Sequence, residues 1–359
     1  MKRIMQRYLM AHFLGPFFMA LSFLTAFLLA FQMFEVIGKV VGKGVGAGRI
    51  FAMVGNIALS FTSLALPLSC FFAAFYIMGR LSEDSEVVAM RSFGMSYKGL
   101  FWPFALMGIF IAVAGLVLGV STVPEAGRKF TLELRRISSQ GILSEISAGQ
   151  FYMGIPHTSI FVEKYQGQLM QGVMIEQQKK GQDKQILFAE NGELIKHADS
   201  SVHIRLWPGN ILRQQSGRWE KVDFQEYDFP LVDLAVSSRR ERDSLISWGE
   251  LWQRFKSRQG TPEQQRRTGI EIANRLKVPF ECFIFLLVGF CLGIKKNRGR
   301  SKDTGATGLI FLALYFVLSF GLVSLGKRGF VHPFLVGILP VLVFATWGVR
   351  LFKRLDWQS

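Results

Sequence analysis

Cysteine is scarce in this chain of 359 residues, and its three cysteines, Cys70, Cys282 and Cys291, all lie in strongly apolar stretches. The polar middle of the chain, residues 125–277, contains none. A disulfide framework is therefore excluded there, and this segment must be stabilised by a hydrophobic core of its own.

The short motifs that carry common chemistry are also missing. Without a G-x-x-x-x-G-K-[ST] loop the chain does not bind ATP through a P-loop, and without H-E-x-x-H or G-x-S-x-G a membrane protease or hydrolase would lack its metal or nucleophile. The five histidines are scattered. His197 and His203 flank a turn, which is more typical of a surface pair than of a metal site. We expect no catalytic residue, metal or cofactor in this chain.

Charged residues are absent from long stretches: none occurs from Ile50 to Gly79 or from Leu100 to Pro124. A helix crosses the apolar core of a bilayer with about 20 residues, whereas core helices of soluble proteins rarely run that far without a charge. We predict six membrane spans with Glu281 as their single charged residue, at 12–34, 51–79, 99–123, 278–294, 307–326 and 330–349.

The net charge of +16 is unevenly distributed. Residues 125–277 hold 23 basic and 19 acidic residues, so most of the excess lies around the spans. This favours an anionic lipid surface or substrate and argues against nucleic acid. With a cytoplasmic N-terminus, the inside segments carry 14 Lys and Arg and the short outside loops carry 5. The positive-inside rule therefore predicts both termini in the cytoplasm and residues 125–277 outside.

Residues 125–277 predict a β domain between two helical segments, a short helix at 125–140 and helical character at 244–275. Apolar and polar residues alternate in the middle, and turn residues separate the segments, as in an antiparallel sandwich or jelly roll. The predicted strands are 159–166, 170–178, 184–198, 201–214 and 218–231. The predicted fold is a polytopic α-helical membrane protein of three plus three spans with an inserted β-jellyroll, divided as 1–124, 125–277 and 278–359.

The stretch EDSEVVAMRSFGMS, residues 83–96, is acidic where the other gaps between spans are basic. Ser82 or Ser85 caps a predicted helix over 83–93, and the acids of its first turn favour the helix dipole. Val87, Met90 and Phe93 fall on one apolar stripe. This stripe either rests on the protein's own membrane domain or docks into a cytoplasmic partner, and the residues alone support both equally.

Two basic clusters flank the spans on the predicted outer side. Lys39, Lys43 and Arg49 follow the first span, and Lys327 and Arg328 lie in the other short outside loop. Together they fit an anionic lipid head group, while ordinary snorkelling or solvated flanks explain each cluster alone.

Two residues inside the spans invite a structural explanation. Glu281 follows Lys277 by four residues, which predicts a local ion pair, although an acid inside a membrane is also a functional candidate. Pro67 predicts a kink in the second span.

The stretch LPLSCFFAAFYIMGRLSEDSEVVAMRSFGMS, residues 66–96, resembles the second span and following loop of the LptF/LptG lipopolysaccharide-export permeases, through the pattern S-E-x-x-x-M-R-x-x-G-x-S. AENGELI (189–195), FQEYDFPL (224–231) and EIANRLKVPFECFIFLLVGFCLGIKKNRGRS (271–301) are similar to other stretches of this family, the last more to its LptF branch. The layout of spans extends the resemblance over essentially the whole chain.

The resemblance implies a periplasmic β-jellyroll and a place in the inner membrane of a Gram-negative bacterium. An LptF-like and an LptG-like chain would form a heterodimer, powered by two copies of a cytoplasmic LptB-like ATPase. Lipopolysaccharide would enter between the first span of one subunit and the fifth of the other, and pass through the jellyrolls to an LptC-like protein and an LptA-like bridge.

The resemblance also assigns roles to residues. Glu86 matches the glutamate of a coupling helix that pairs with an arginine of the ATPase, and Val87, Met90 and Arg91 belong to the same helix. Lys39 and Lys43 fall where the outer end of the first span meets the lipid phosphates in the family, and Lys327 and Arg328 lie where LptF has basic residues near the end of the fifth span. Two alternatives remain: an ABC permease for another substrate, and a non-transporting adaptor or sensor with a periplasmic ligand-binding domain.

Overall fold

The computed structural model describes residues 2–40, 46–145, 147–155, 158–166, 169–178, 184–196, 202–215, 218–230, 244–257, 260–294 and 301–357. The chain divides into two compact units. The membrane unit comprises Met1–Met33, Val54–Arg128 and Asp243–Ser359, and the sheet unit comprises Phe34–Met53 and Lys129–Arg242.

The helices, in chain order, are α1 (Lys2–Val40), α2 (Ala47–Ser60), α3 (Thr62–Glu83), α4 (Glu86–Ser92), α5 (Tyr97–Val117), α6 (Val123–Glu145), α7 (Trp248–Ser257), α8 (Pro262–Gly293), α9 (Ser301–Arg328) and α10 (Pro333–Trp357). A single π-helical turn, Leu118–Thr122, joins α5 to α6. The helix predicted at 125–140 is therefore the continuation of a span.

Six helices of the described residues are long and apolar enough to cross a membrane, which confirms the predicted number of spans. They are α1, α3, α5 with its continuation, α8, α9 and α10. The predicted second span is corrected to Thr62–Glu83, because the regular helix is interrupted at Phe61. Helix α2, which precedes this residue, is a separate short apolar helix. Pro67 has no N–H to offer the carbonyl of residue 63, which weakens the helix in the turn before it.

The membrane unit is centred on a close contact between α3 and α8. Gly289 and Gly293 lie one helical turn apart on α8 and face the backbone of α3. A Cβ atom would lie 2.4 Å from the Phe71 carbonyl oxygen at Gly289 and 2.7 Å from the Phe75 carbonyl oxygen at Gly293. Small residues four apart let helices in a membrane approach this closely, a motif that our sequence reading did not use.

The described residues form seven strands, which make one antiparallel sheet. They are β1 (Phe151–Ile155), β2 (Thr158–Gln166), β3 (Leu169–Gln177), β4 (Gln185–Lys196), β5 (Val202–Gln215), β6 (Arg218–Phe224) and β7 (Tyr227–Pro230). Strands β1 to β6 pair in chain order, and β7 also pairs with β5. The inserted antiparallel β domain is thus confirmed, while β1 was missing from the prediction.

Strands β6 and β7 both pair with β5, and they do so in the same register. Gly209 lies opposite Phe224, and Leu206 lies opposite Tyr227. The same register sets Pro208 opposite Gln225. Because proline has no N–H for the ladder, the strand predicted at 218–231 is interrupted there.

The sheet unit has a core made of strand residues alone. Ile160, Ile175, Leu187, Ile204 and Leu206 are fully buried in it. Since the described strands form a single sheet, a core this well covered requires the sheet to curve around its own inner face.

Gly289→Ala should destabilise the membrane unit, because the added methyl group overlaps the backbone of α3 and overpacking costs about 1–3 kcal/mol. Unfolding of the purified chain in mixed micelles, titrated with SDS, measures this loss. The matched control is Gly321→Ala in α9, where nothing lies within 4 Å of an added Cβ. Equal stability of the two variants would contradict the close contact.

Candidate functional site

The acidic stretch of residues 83–96 differs from its predicted structure at the N-terminal end. Helix α3 runs to Glu83, and Ser85 takes a left-handed conformation with φ of 60° before α4 starts at Glu86. Asp84 lies at the C-terminal end of α3, with its Oδ2 3.8 Å from Nε of Arg80. Glu86 is therefore the acid in the first turn of α4, and the predicted start at residue 83 is corrected.

The other end of the stretch agrees with its prediction. Gly94 has a φ of 79° and ends the short helix, since glycine adopts this conformation without steric cost. The Ser96 side chain accepts a hydrogen bond from the Gly99 N–H at 3.2 Å and caps α5.

The apolar stripe of α4 rests on the protein's own membrane unit. Val87 and Met90 are each 4% exposed and belong to the core that also contains Leu81 and Met95. Of the two surfaces that the sequence left open for this stripe, the structure shows the protein's own membrane unit, because both side chains are covered by their own chain. Arg91 also stays within the unit, with its Cζ 4.1 Å from the ring centroid of Tyr97.

Other side chains of this segment are exposed. Val88 and Phe93 are 65% and 71% exposed, and Glu86 is half-buried at the helix start. Helix α4 therefore presents a carboxylate at its start, and apolar side chains are exposed elsewhere on the same segment. The prediction that Phe93 shares the stripe of Val87 and Met90 is corrected, because α4 ends at Ser92 and Phe93 is exposed beyond it. Val88 was missed, because the predicted stripe lies on another face of the helix.

Glu86 is held by a residue far away in sequence. The Tyr8 hydroxyl group of α1 donates to its carboxylate, 3.2 Å from Oε2 and 3.4 Å from Oε1. A carboxylate has about four acceptor positions, so this bond leaves room for a second donor. Since 78 residues separate the pair, no local pattern could have indicated Tyr8.

Helix α1 is anchored to the membrane unit near this bond. Leu9, Phe13 and Phe17 are buried, and the Phe13 ring meets the Phe104 ring edge-on at 5.7 Å. Further along, the apolar side chains of α1 are uncovered, among them Met19, Phe23, Phe31 and Phe34. The helix is therefore fixed at one end and carries an open apolar face beyond it.

The structure only partly describes the predicted basic clusters. Lys39 lies in α1, and Lys43 lies outside the described residues. Nε of Arg49 is 3.9 Å from Oε1 of Glu133, so this arginine has an acidic neighbour. Lys327 and Arg328 form the last turn of α9 and are exposed.

Glu281 lies in a polar network inside the spans. Its Oε1 is 3.2 Å from Nζ of Lys277, which confirms the predicted ion pair. The Tyr315 hydroxyl group donates to Glu281, and the Lys277 ammonium donates to Oγ of Ser319 at 2.9 Å. Both hydroxyl groups belong to α9, so the network joins α8 to α9.

Histidine provides no metal site in the described part of the chain, where no group of three potential ligands was found. His203 instead places Nδ1 3.1 Å from Oδ1 of Asp228. Its suggested neighbour, His197, lies outside the described residues.

Six helices of membrane-spanning length, an antiparallel β domain inserted between them and a short helix connecting two spans define a multi-pass membrane protein of the permease class. The chain matches the lipopolysaccharide export system permease LptF/LptG family over residues 7–354 and belongs to it.

Curated relatives carry the name lipopolysaccharide export system permease protein LptF. Those of Escherichia coli K12, Escherichia coli O157:H7 and Shigella flexneri are each 23% identical to this chain over 326 residues, which cover 86% of it and 85% of each relative.

Glu281→Leu should strongly destabilise the membrane unit, because it leaves the Lys277 ammonium buried without its carboxylate, and breaking a buried ion pair costs about 3–5 kcal/mol. The double variant Lys277→Leu/Glu281→Leu should recover most of this loss, since an apolar pair needs no compensation. SDS titrations of the two single variants and the double variant give the coupling energy. Additive losses would mean that the pair does not interact.

Proposed function

We propose that this chain is one membrane subunit of an ABC transporter that extracts lipopolysaccharide from the outer leaflet of the inner membrane and passes it to a periplasmic bridge leading to the outer membrane. Membership of the export permease family carries this proposal. The orientation that goes with it has both termini in the cytoplasm and the sheet unit in the periplasm, as the distribution of Lys and Arg favours.

The energy source in this proposal is a separate ATPase, since the sequence has no P-loop. The partners are an LptG-like permease, which completes a heterodimer, an LptB-like ATPase dimer, an LptC-like protein and an LptA-like bridge. The open apolar face of α1 supports a second membrane subunit, because a face of this kind must contact either lipid or another helix.

Glu86 is the proposed contact to the ATPase. Tyr8 holds its carboxylate at the start of α4, and Val88 and Phe93 are exposed on the same short segment. An arginine of the partner would pair with the remaining acceptor positions, in a bond stronger than one between neutral groups. Val87, Met90 and Arg91 then support the surface from behind without touching the partner.

The cargo is proposed to meet basic residues at the outer membrane surface. The phosphates of lipid A are anionic, and Lys39, Lys43, Arg49, Lys327 and Arg328 supply positive charge near the predicted outer ends of spans. The acyl chains need apolar surroundings, which the uncovered face of α1 supplies on one side.

Glu86→Arg should uncouple the transporter, because the variant sets like charges against each other where the proposed contact forms. Losing a charge pair at an interface costs about 2 kcal/mol or more, which is about thirty-fold in affinity. Co-purification of the ATPase and ATP-driven release of lipopolysaccharide from proteoliposomes measure the effect. Asp84→Arg is the control, because this acid lies at the end of α3 in an exposed pair with Arg80, and such pairs contribute little. Wild-type release by the Glu86 variant would remove Glu86 from the contact.

Reversing the charge of Lys39 and Lys43 together should weaken capture of lipopolysaccharide, because attraction to its phosphates becomes repulsion. A photo-reactive residue in place of the exposed Phe31 reports capture as the yield of crosslinked cargo. Lys353→Glu at the far end of α10 is the control for a general change in charge. An unchanged crosslinking yield would exclude both lysines from the cargo site.

A further inference from the structure

A groove opens in the membrane unit between α7, the start of α8 and the turn that joins α9 to α10. It has a volume of about 790 Å³. Lys256, Arg266 and His332 line it together with the apolar Phe255, Val331 and Pro333. The groove is thus cationic on one part of its wall and apolar on another.

The acids near the groove are already paired. Glu250 accepts from Nη2 of Arg254 at 2.6 Å, and Glu263 accepts from Nη2 of Arg267 at 2.5 Å. None of the residues that line the groove is acidic. The positive charge of Lys256 and Arg266 is therefore not compensated by the wall of the groove itself.

Arg266 is packed closely at the start of α8. Its Nε is buried and has no hydrogen-bond partner among the described residues, and the same holds for Nε of the neighbouring Arg267. The guanidinium packs against the turn, where a Cβ at Gly329 would lie 3.2 Å from its Cζ. Gly329 has a φ of 90°, which favours glycine, and this close approach also needs it. Arg266 is thus fixed against the turn, and its side chain lines the groove.

The apolar part of the wall lies beside further uncovered apolar residues. Phe330, in the turn itself, is 77% exposed, and Trp252 on α7 is 48% exposed. Tryptophan is typical of the boundary between lipid and water, and the last turn of α9 carries Lys327 and Arg328. The groove therefore lies at the end of the spans, where head groups meet acyl chains.

We propose that this groove binds the phosphate group of a membrane amphiphile. The guanidinium of Arg266 and the ammonium of Lys256 donate to the phosphate oxygens, and Phe255, Val331 and Pro333 contact the apolar part of the same molecule. Phosphate offers several acceptor oxygens to such donors, and it is the anionic group of membrane phospholipids and of lipid A. All residues that line the groove belong to the membrane unit. Binding at this site can therefore be tested without the proposed ATPase contact.

The full-length chain in lipid nanodiscs tests the proposal. Discs of phosphatidylcholine containing a small fraction of either phosphatidylglycerol or lipid A are prepared, and native mass spectrometry counts the anionic lipids that stay bound. Lys256→Gln/Arg266→Gln should lower retention about ten-fold or more, because two charge-assisted hydrogen bonds are lost. The control Arg254→Gln/Arg267→Gln removes the same charge from arginines that are paired with acids.

Loss of retained phosphatidylglycerol in the groove variant alone would identify a phospholipid site, and loss of lipid A alone would identify a part of the cargo path. Loss of both would identify a general phosphate site. Retention that is equal in the groove variant and the control would overturn the proposal. If the double variant fails to insert, Lys256→Gln alone serves as the test, since this side chain is exposed at the end of α7.

Discussion

The contact between α3 and α8 is the constraint on which the membrane unit depends. It joins the two halves of the chain, which are separated in sequence by the whole β domain, at Gly289 and Gly293. Helices in a membrane gain little from excluding lipid, so their association depends on close packing and on hydrogen bonds between them. Helix α8 supplies both, because it meets the backbone of α3 on one side and extends Lys277 and Glu281 to α9 on another. Its Arg275 also donates to the carbonyl groups of Ser244 and Ile246, which fixes the segment before α7.

Helix α1 is held in a different way from α8. Its contacts with the membrane unit are concentrated near its start, at Leu9, Phe13 and Phe17, and the phenylalanines that follow are open. The face beyond the anchor must contact lipid or another helix. In the proposed transporter it is the part of α1 that would meet a second membrane subunit or the cargo.

The sequence predicted those features that depend on composition over many residues. Charge-free runs identified six spans, and alternation identified five strand segments, because both signals are repeated along an element. Features that depend on a single contact were missed or misplaced. The break at Phe61, the interruption opposite Pro208 and the pairing of Tyr8 with Glu86 each require knowledge of which residues are neighbours in space. The stripe of Val87 and Met90 was identified correctly as apolar, but the sequence could not decide which surface covers it.

The hydrogen bond between Tyr8 and Glu86 joins α1 to the start of α4. Glu86 starts α4, whose apolar side is fixed in the membrane unit through Val87 and Met90. Tyr8 lies in α1, one residue before the anchor at Leu9. A partner that draws on the Glu86 carboxylate would therefore act on the fixed end of α1, through a hydrogen bond and not through an intervening loop. The exposed side chains of Phe31 and Phe34 lie beyond that anchor on the same helix. The proposed ATPase contact and the proposed entry for the cargo are thus opposite ends of the same helix.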